Sequence, residues 1–197
     1  MAKDARREQI LDAALHAFER GGYHATHVDD VIREAGIARG TFYLHFDGKH
    51  AVFAALVDRM LATFLAARPT EAALDAVRTA SDAAAYLRES YGIVFRTFRR
   101  HRRLCRLWLE EAVGIEKGFT ARLDAHYREW HRRVAEVRRA FVEAGAARRD
   151  LDVDLTADLV LGMVERLTRR HVLGETEPDI DRLADAVVAF EMRGIGA

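Results

Sequence analysis

Gly22-Tyr23-His24-Ala25-Thr26-His27-Val28-Asp29-Asp30-Val31-Ile32-Arg33-Glu34-Ala35-Gly36-Ile37-Ala38-Arg39-Gly40-Thr41-Phe42-Tyr43-Leu44-His45-Phe46-Asp47-Gly48-Lys49 is the stretch on which the fold turns. Thr26 is placed to cap a helix, and Asp29 three positions on gives the spacing of a capping box with a shorter acid. Val28, Val31, Ile32 and Ala35 recur at helical spacing and form its inner face. Gly36 ends it, as a glycine just past the last periodic residue does. After Ile37-Ala38 a short helix carries Arg39 to Phe46. Phe42 and Phe46, four apart, turn inward together. Two short helices joined by a tight turn that contains glycine make a helix-turn-helix, with Ile37 plugging the turn into the core. Arg39, Thr41, Tyr43 and Leu44 are left on the other faces, and Asp47-Gly48 breaks the helix.

The pattern continues outward in both directions as helix. Upstream, a helix begins near Asp4, presents Ile10, Leu11, Ala14, Leu15 and Phe18 on one face, and stops at Gly21-Gly22. Downstream, a long helix runs from about Lys49 to Ala67 and ends before Pro69. Further helices are expected over about Ser81 to Arg100, Leu104 to Val113, Lys117 to Ala144, Leu155 to Leu173, and Ile180 to Met192, with Pro178 placed to start the last. Thr70 to Thr79 reads as a short helix or an ordered loop. Only two prolines occur, no strand-like alternation persists, and good helix formers dominate. The expected fold is all-α: residues 1–47 form a helix-turn-helix domain and 48–197 a larger helical domain.

Composition narrows the function classes. The 197 residues are 50% hydrophobic and 31% charged, with a formal net charge of zero, so there is no general positive field for nucleic acid. Up to Lys49 the cations are Lys3, Arg6, Arg7, Arg20, Arg33, Arg39 and Lys49. The acids there are Asp4, Glu8, Asp12, Glu19, Asp29, Asp30, Glu34 and Asp47, so this segment is not basic either. The lone cysteine, Cys105, permits neither a disulfide framework nor a cysteine-based zinc site. With a charged amphipathic N-terminus and no uncharged apolar run of membrane-spanning length, the expectation is a cytoplasmic protein away from membranes. No HExxH, glycine-rich phosphate loop or nucleophile motif occurs. Neither a metal, a cofactor nor enzymatic activity is therefore expected.

The stretch from Gly22 to Lys49 closely resembles, without gaps, the signature of TetR-family regulators; the likeness extends over roughly residues 5 to 60. Two departures stand out. Ala38 replaces a frequent serine, which removes a side-chain cap at a cost of roughly 1 kcal/mol. Ile32 replaces a usual alanine. The resemblance implies an all-α fold of about nine helices and a homodimer built on the last two. It also implies a repressor that binds a double-stranded inverted-repeat operator and is released by a small-molecule effector; the alternatives left open are a regulator that answers to a protein partner or to no ligand, and an all-α enzyme.

On that resemblance Arg39 opens the recognition helix, where side chains reach base edges or phosphates. Gly40, costly inside a helix, points to a close approach by the duplex or by a neighbouring helix. Thr41 could meet a thymine methyl or a phosphate, and Tyr43 a phosphate. Leu44 and His45 follow on the same segment, and His27 could touch phosphate or be solvated. Thr26 and Lys49 mark two helix ends whose amides could face phosphates, with the Lys49 ammonium assisting. Phe64, Tyr86, Tyr91, Phe95, Cys105, Trp108, Tyr127, Trp130 and Met163 are candidate walls of an effector pocket. Their character points to an apolar or aromatic ligand, although each also suits plain core. Leu159, Gly162, Met163 and Arg166, with Leu183, Val187 and Phe190, are the candidate dimer interface.

Overall fold

A computed structural model of the chain describes residues 2–66, 68–106 and 117–196, and regular structure among them is helical apart from one antiparallel bridge between Ala147 and Gly196. The order is α1 (Ala2–Ala25), α2 (Val28–Ala35), α3 (Arg39–Tyr43), α4 (Lys49–Ala66), α5 (Glu71–Asp75), α6 (Ala80–Arg100) and α7 (Arg102–Arg106). There follow α8 (Lys117–Glu143), α9 (Val153–Leu167), a π-helical turn (Thr168–Val172) and α10 (Ile180–Ile195). The all-α expectation holds. The single helix expected over Leu155 to Leu173 is α9 followed by the π turn, and Trp108 lies outside the described residues.

Two compact units emerge. One comprises the described residues of 1–63 and 103–120, the other those of 64–102 and 121–197. The division falls inside α4, beyond the expected boundary at Asp47. In the first unit α1 breaks at Gly22, whose φ of 75° lies in a region that L side chains rarely adopt. Phe18, Phe42, Phe53, Leu11 and Leu56 are fully buried there, each contributing roughly 2 kcal/mol by removal from water. By length and composition alone the stretch from Lys49 could cross a membrane. Its apolar side chains, Val52, Phe53, Leu56, Val57 and Leu61, are instead core. Arg59 on its outer face pairs with Glu8 and Asp12.

In the second unit the helix starts carry caps that the chain itself supplies. Thr79 and Asp82 form a reciprocal capping box on α6, Asp152 accepts from the Leu155 amide on α9, and Asp179 accepts from the Arg182 amide on α10. The α10 stripe of Ala184, Val187, Glu191 and Ile195 is buried. Glu191 is thus a carboxylate in a core register. Arg138 of α8 meets it there with two donations to Oε1, at 2.9 and 2.6 Å, and a third to the Tyr91 hydroxyl at 2.9 Å. The Tyr91 hydroxyl in turn donates to Glu191 Oε2. Both charged side chains are about 95% buried or more. Burial holds the Tyr91 phenol protonated well above its usual range.

Candidate nucleic-acid interface

The turn between α2 and α3 is built as its sequence implies. Gly36 adopts left-handed geometry, φ 62° and ψ 37°, and donates to the Arg33 carbonyl. The Ile37 amide reaches back to Ile32 at 3.3 Å. Phe42 and Phe46 are buried with ring centroids 6.1 Å apart, while Ile37 is half-buried. Ala38 caps α3 only through its carbonyl, which accepts from the Thr41 and Phe42 amides. The helix is also shorter than expected: it ends at Tyr43, and Leu44 and His45 form a turn before Phe46.

Anchored on Phe42 and Phe46, α3 and the turn that follows it present a distinct set of residues outward. Arg39 and Gly40 are exposed, Tyr43 is 45% and Leu44 78% exposed, and Thr41 and His45 are half-buried. A Cβ built on Gly40 meets nothing within 4 Å. Of the two reasons for a glycine there, close packing by a neighbouring helix is thereby removed. The Arg39 guanidinium donates from Nη1 to Asp29 Oδ1 at 2.7 Å and lies 5.7 Å from the Tyr43 ring centroid.

At the flanks the expectation for Thr26 needs correction, and Lys49 has partners of its own. Thr26 is 3% exposed and is not the cap of α2. Its hydroxyl donates to the Gly22 carbonyl at 2.7 Å and the Ala17 carbonyl at 3.2 Å, and so closes the end of α1. The N-cap is His27, exposed, whose amide donates to Asp30 Oδ2 at 2.9 Å. That bond, with Arg33 beside it, holds the Asp30 carboxyl below its usual range. Lys49 is half-buried at the start of α4. Its ammonium donates to the carbonyls of Tyr23 at 2.8 Å and His24 at 3.2 Å and sits 4.5 Å from the Tyr23 ring centroid.

The candidate effector residues of the second unit form connected groups. The Phe64 ring centroid lies 4.2 Å from that of Phe98 and 6.1 Å from that of Trp130, whose centroid lies 5.9 Å from that of Tyr127. The Tyr127 hydroxyl donates to Glu165 at 3.0 Å. Tyr86 packs edge-on against Phe141, Tyr91 stacks on Phe95, and Met163 is half-buried. Cys105 belongs to the first unit, where its Sγ lies 3.6 Å from Met60 Sδ. Among the candidate interface residues, Leu159 is 66% and Phe190 72% exposed, and Gly162 and Arg166 are exposed. Leu183 is half-buried. Val187, 2% exposed, faces its own unit's core instead. Leu155, 56% exposed, extends the apolar outer stripe of α9.

Three residues here escaped sequence reading. Glu191 and Arg138 stand in otherwise apolar stripes, which was the available signal. Asp29 finds Arg39 across the turn, ten positions away, where no helical periodicity links them.

The family profile described as bacterial regulatory proteins, tetR family, matches residues 10–56. The HTH-type transcriptional repressor KstR2 of Rhodococcus jostii is 30% identical over 78% of this chain and 73% of that protein. The fatty acid metabolism regulator protein of Bacillus subtilis is 24% identical over 95% of this chain and 94% of that protein. The crystal structure of the B. subtilis regulator FadR in complex with stearoyl-CoA matches with a TM-score of 0.76 at 20% identity, over 95% of this chain and 98% of that one.

Proposed function

This chain belongs to the TetR family of bacterial regulatory proteins and is a DNA-binding transcriptional regulator, and we propose from that premise that its homodimer represses by holding an inverted-repeat operator. The observation that carries the reading is the outward face of α3. Arg39, Tyr43 and Leu44 are exposed around an open Gly40, on a helix and following turn pinned from behind by Phe42 and Phe46. A short helix so pinned, with its first residues exposed toward a major groove, suits base and phosphate contact by Arg39, Thr41 and Tyr43. His27, Leu44 and His45 border that surface. Residues 1–47 then serve as the DNA-binding domain and 48–197 as the effector and dimerisation domain of a cytoplasmic, non-catalytic protein.

The effector proposed is a small, largely apolar molecule. The connected aromatic groups around Phe64, Trp130 and Tyr127 support an apolar site. So do the names of the relatives, one a fatty acid metabolism regulator and one crystallised with stearoyl-CoA. A long-chain acyl thioester is therefore the first ligand to try. Exposed Leu155, Leu159 and Phe190 on α9 and α10 support the dimer, because apolar side chains of that size gain from being covered.

Footprinting on the DNA flanking its own gene tests the reading. A protected inverted repeat is expected, with protection lost on adding a long-chain acyl-CoA. Absence of any protected repeat overturns the repressor reading, and protection indifferent to acyl-CoA, fatty acids and sterols overturns the apolar effector.

A further inference from the structure

We propose that Asp29 is a specificity-determining positioning residue, which holds Arg39 so that the head favours a guanine edge over phosphate. The proposal rests on the DNA-binding reading of α3 and adds a residue to it. Asp29 is not needed as a cap, since Asp30 takes that role with the His27 amide. Its carboxylate engages a single guanidinium nitrogen, Nη1 of Arg39, while the Tyr43 ring flanks the guanidinium. Both members of the pair are about two-thirds exposed, on the face with Gly40 and Tyr43.

The physical consequence follows from charge. A guanidinium carries five N–H donors in a rigid fork, and one carboxylate contact leaves an edge free for the O6 and N7 acceptors of guanine. Guanine carries no net charge there, so Asp29 repels its O6 and N7 acceptors less than it repels a phosphate. A phosphate approaching the same guanidinium meets a compensated cation and a neighbouring negative charge. Asp29 therefore weakens the phosphate contact more than the guanine contact. Non-specific binding, which lives on phosphates, is suppressed relative to specific binding. Exposed pairs of this kind shift equilibria by roughly 1.4- to 5-fold, and the expected effect is of that size.

The test uses the full-length protein, a duplex selected by it from a random-sequence pool, and the same duplex scrambled. In Asp29→Asn, affinity for the scrambled duplex is expected to rise about 2- to 5-fold, with less gain on the selected duplex. The salt dependence on the scrambled duplex should steepen by about 1 for each head engaged. Asp29→Glu should keep the discrimination nearer to that of the parent. In an Arg39→Ala background the Asp29→Asn change should no longer alter discrimination. Equal changes on both duplexes, no change on either, or the same loss of discrimination without Arg39 would each overturn the proposal. A parent protein that enriches no duplex overturns the DNA-binding reading itself, an outcome separate from the others.

Discussion

The ammonium of Lys49, first residue of α4, lies 2.8 Å from the Tyr23 carbonyl oxygen at the end of α1. A cation beginning a helix is unfavourable to its own helix but favourable to the carbonyl end of another, and Lys49 serves the second purpose. Lys49→Met should lower the stability of the protein by about 1 kcal/mol through loss of charge-assisted bonds. Urea unfolding reads this as a lower midpoint. An unchanged midpoint, with weaker DNA binding and a shallower salt slope, would instead return Lys49 to phosphate contact.

The Arg138–Glu191 pair tests how the second unit is held. Glu191→Leu leaves a buried guanidinium whose remaining partner among the described residues is the Tyr91 hydroxyl, and should cost about 3–5 kcal/mol. The double variant Arg138→Met/Glu191→Leu removes both charges and should recover most of that loss, measured by thermal or denaturant unfolding. Equal losses in the single and double variants would show that shape, not charge compensation, sets the cost.

Cys105 should resist thiol reagents in the folded protein. Burial raises its thiol pKa far above the ordinary value, so at pH 8 the nucleophilic thiolate is depleted as well as covered. Labelling with a chromogenic disulfide should proceed only with unfolding in denaturant. Rapid labelling of the native protein would contradict the buried placement.

The outer faces of α9 and α10 should govern oligomeric state. Leu159→Glu/Phe190→Glu, at two exposed positions, should shift a dimer to monomer in analytical ultracentrifugation without lowering helical content. A dimer that persists would move the interface elsewhere.

Much of this was legible in the chain. The α2–α3 turn followed from Gly36 and the Phe42/Phe46 pair, because left-handed geometry and inward aromatics depend on local residues. The cap of α2 was misplaced by one because Asp29-Asp30 lets Thr26 and His27 both show the capping spacing. The Thr26 hydroxyl bound to the Gly22 and Ala17 carbonyls, with the His27 amide bound to Asp30, decides between them. The partners of Lys49 were not legible for a similar reason, since they lie on α1, 25 and 26 positions away. The early end of α3 at Tyr43, the burial of Val187 and the pairing of Asp29 with Arg39 are likewise tertiary outcomes that periodicity does not carry.

The central claim is that a near-neutral head reads DNA through the α3 face and not through a broad basic field. Its most direct test is the affinity of the full-length protein for its footprinted repeat, measured against salt with the Arg39→Ala and Tyr43→Ala variants alongside. A log–log slope of about −4 is expected for a dimer with few phosphate contacts. At least about tenfold weaker binding is also expected for Arg39→Ala, within the 1–3 kcal/mol of a bidentate base contact. A slope near −10 (the value of an extensively basic binder), or binding indifferent to both substitutions, would contradict that claim.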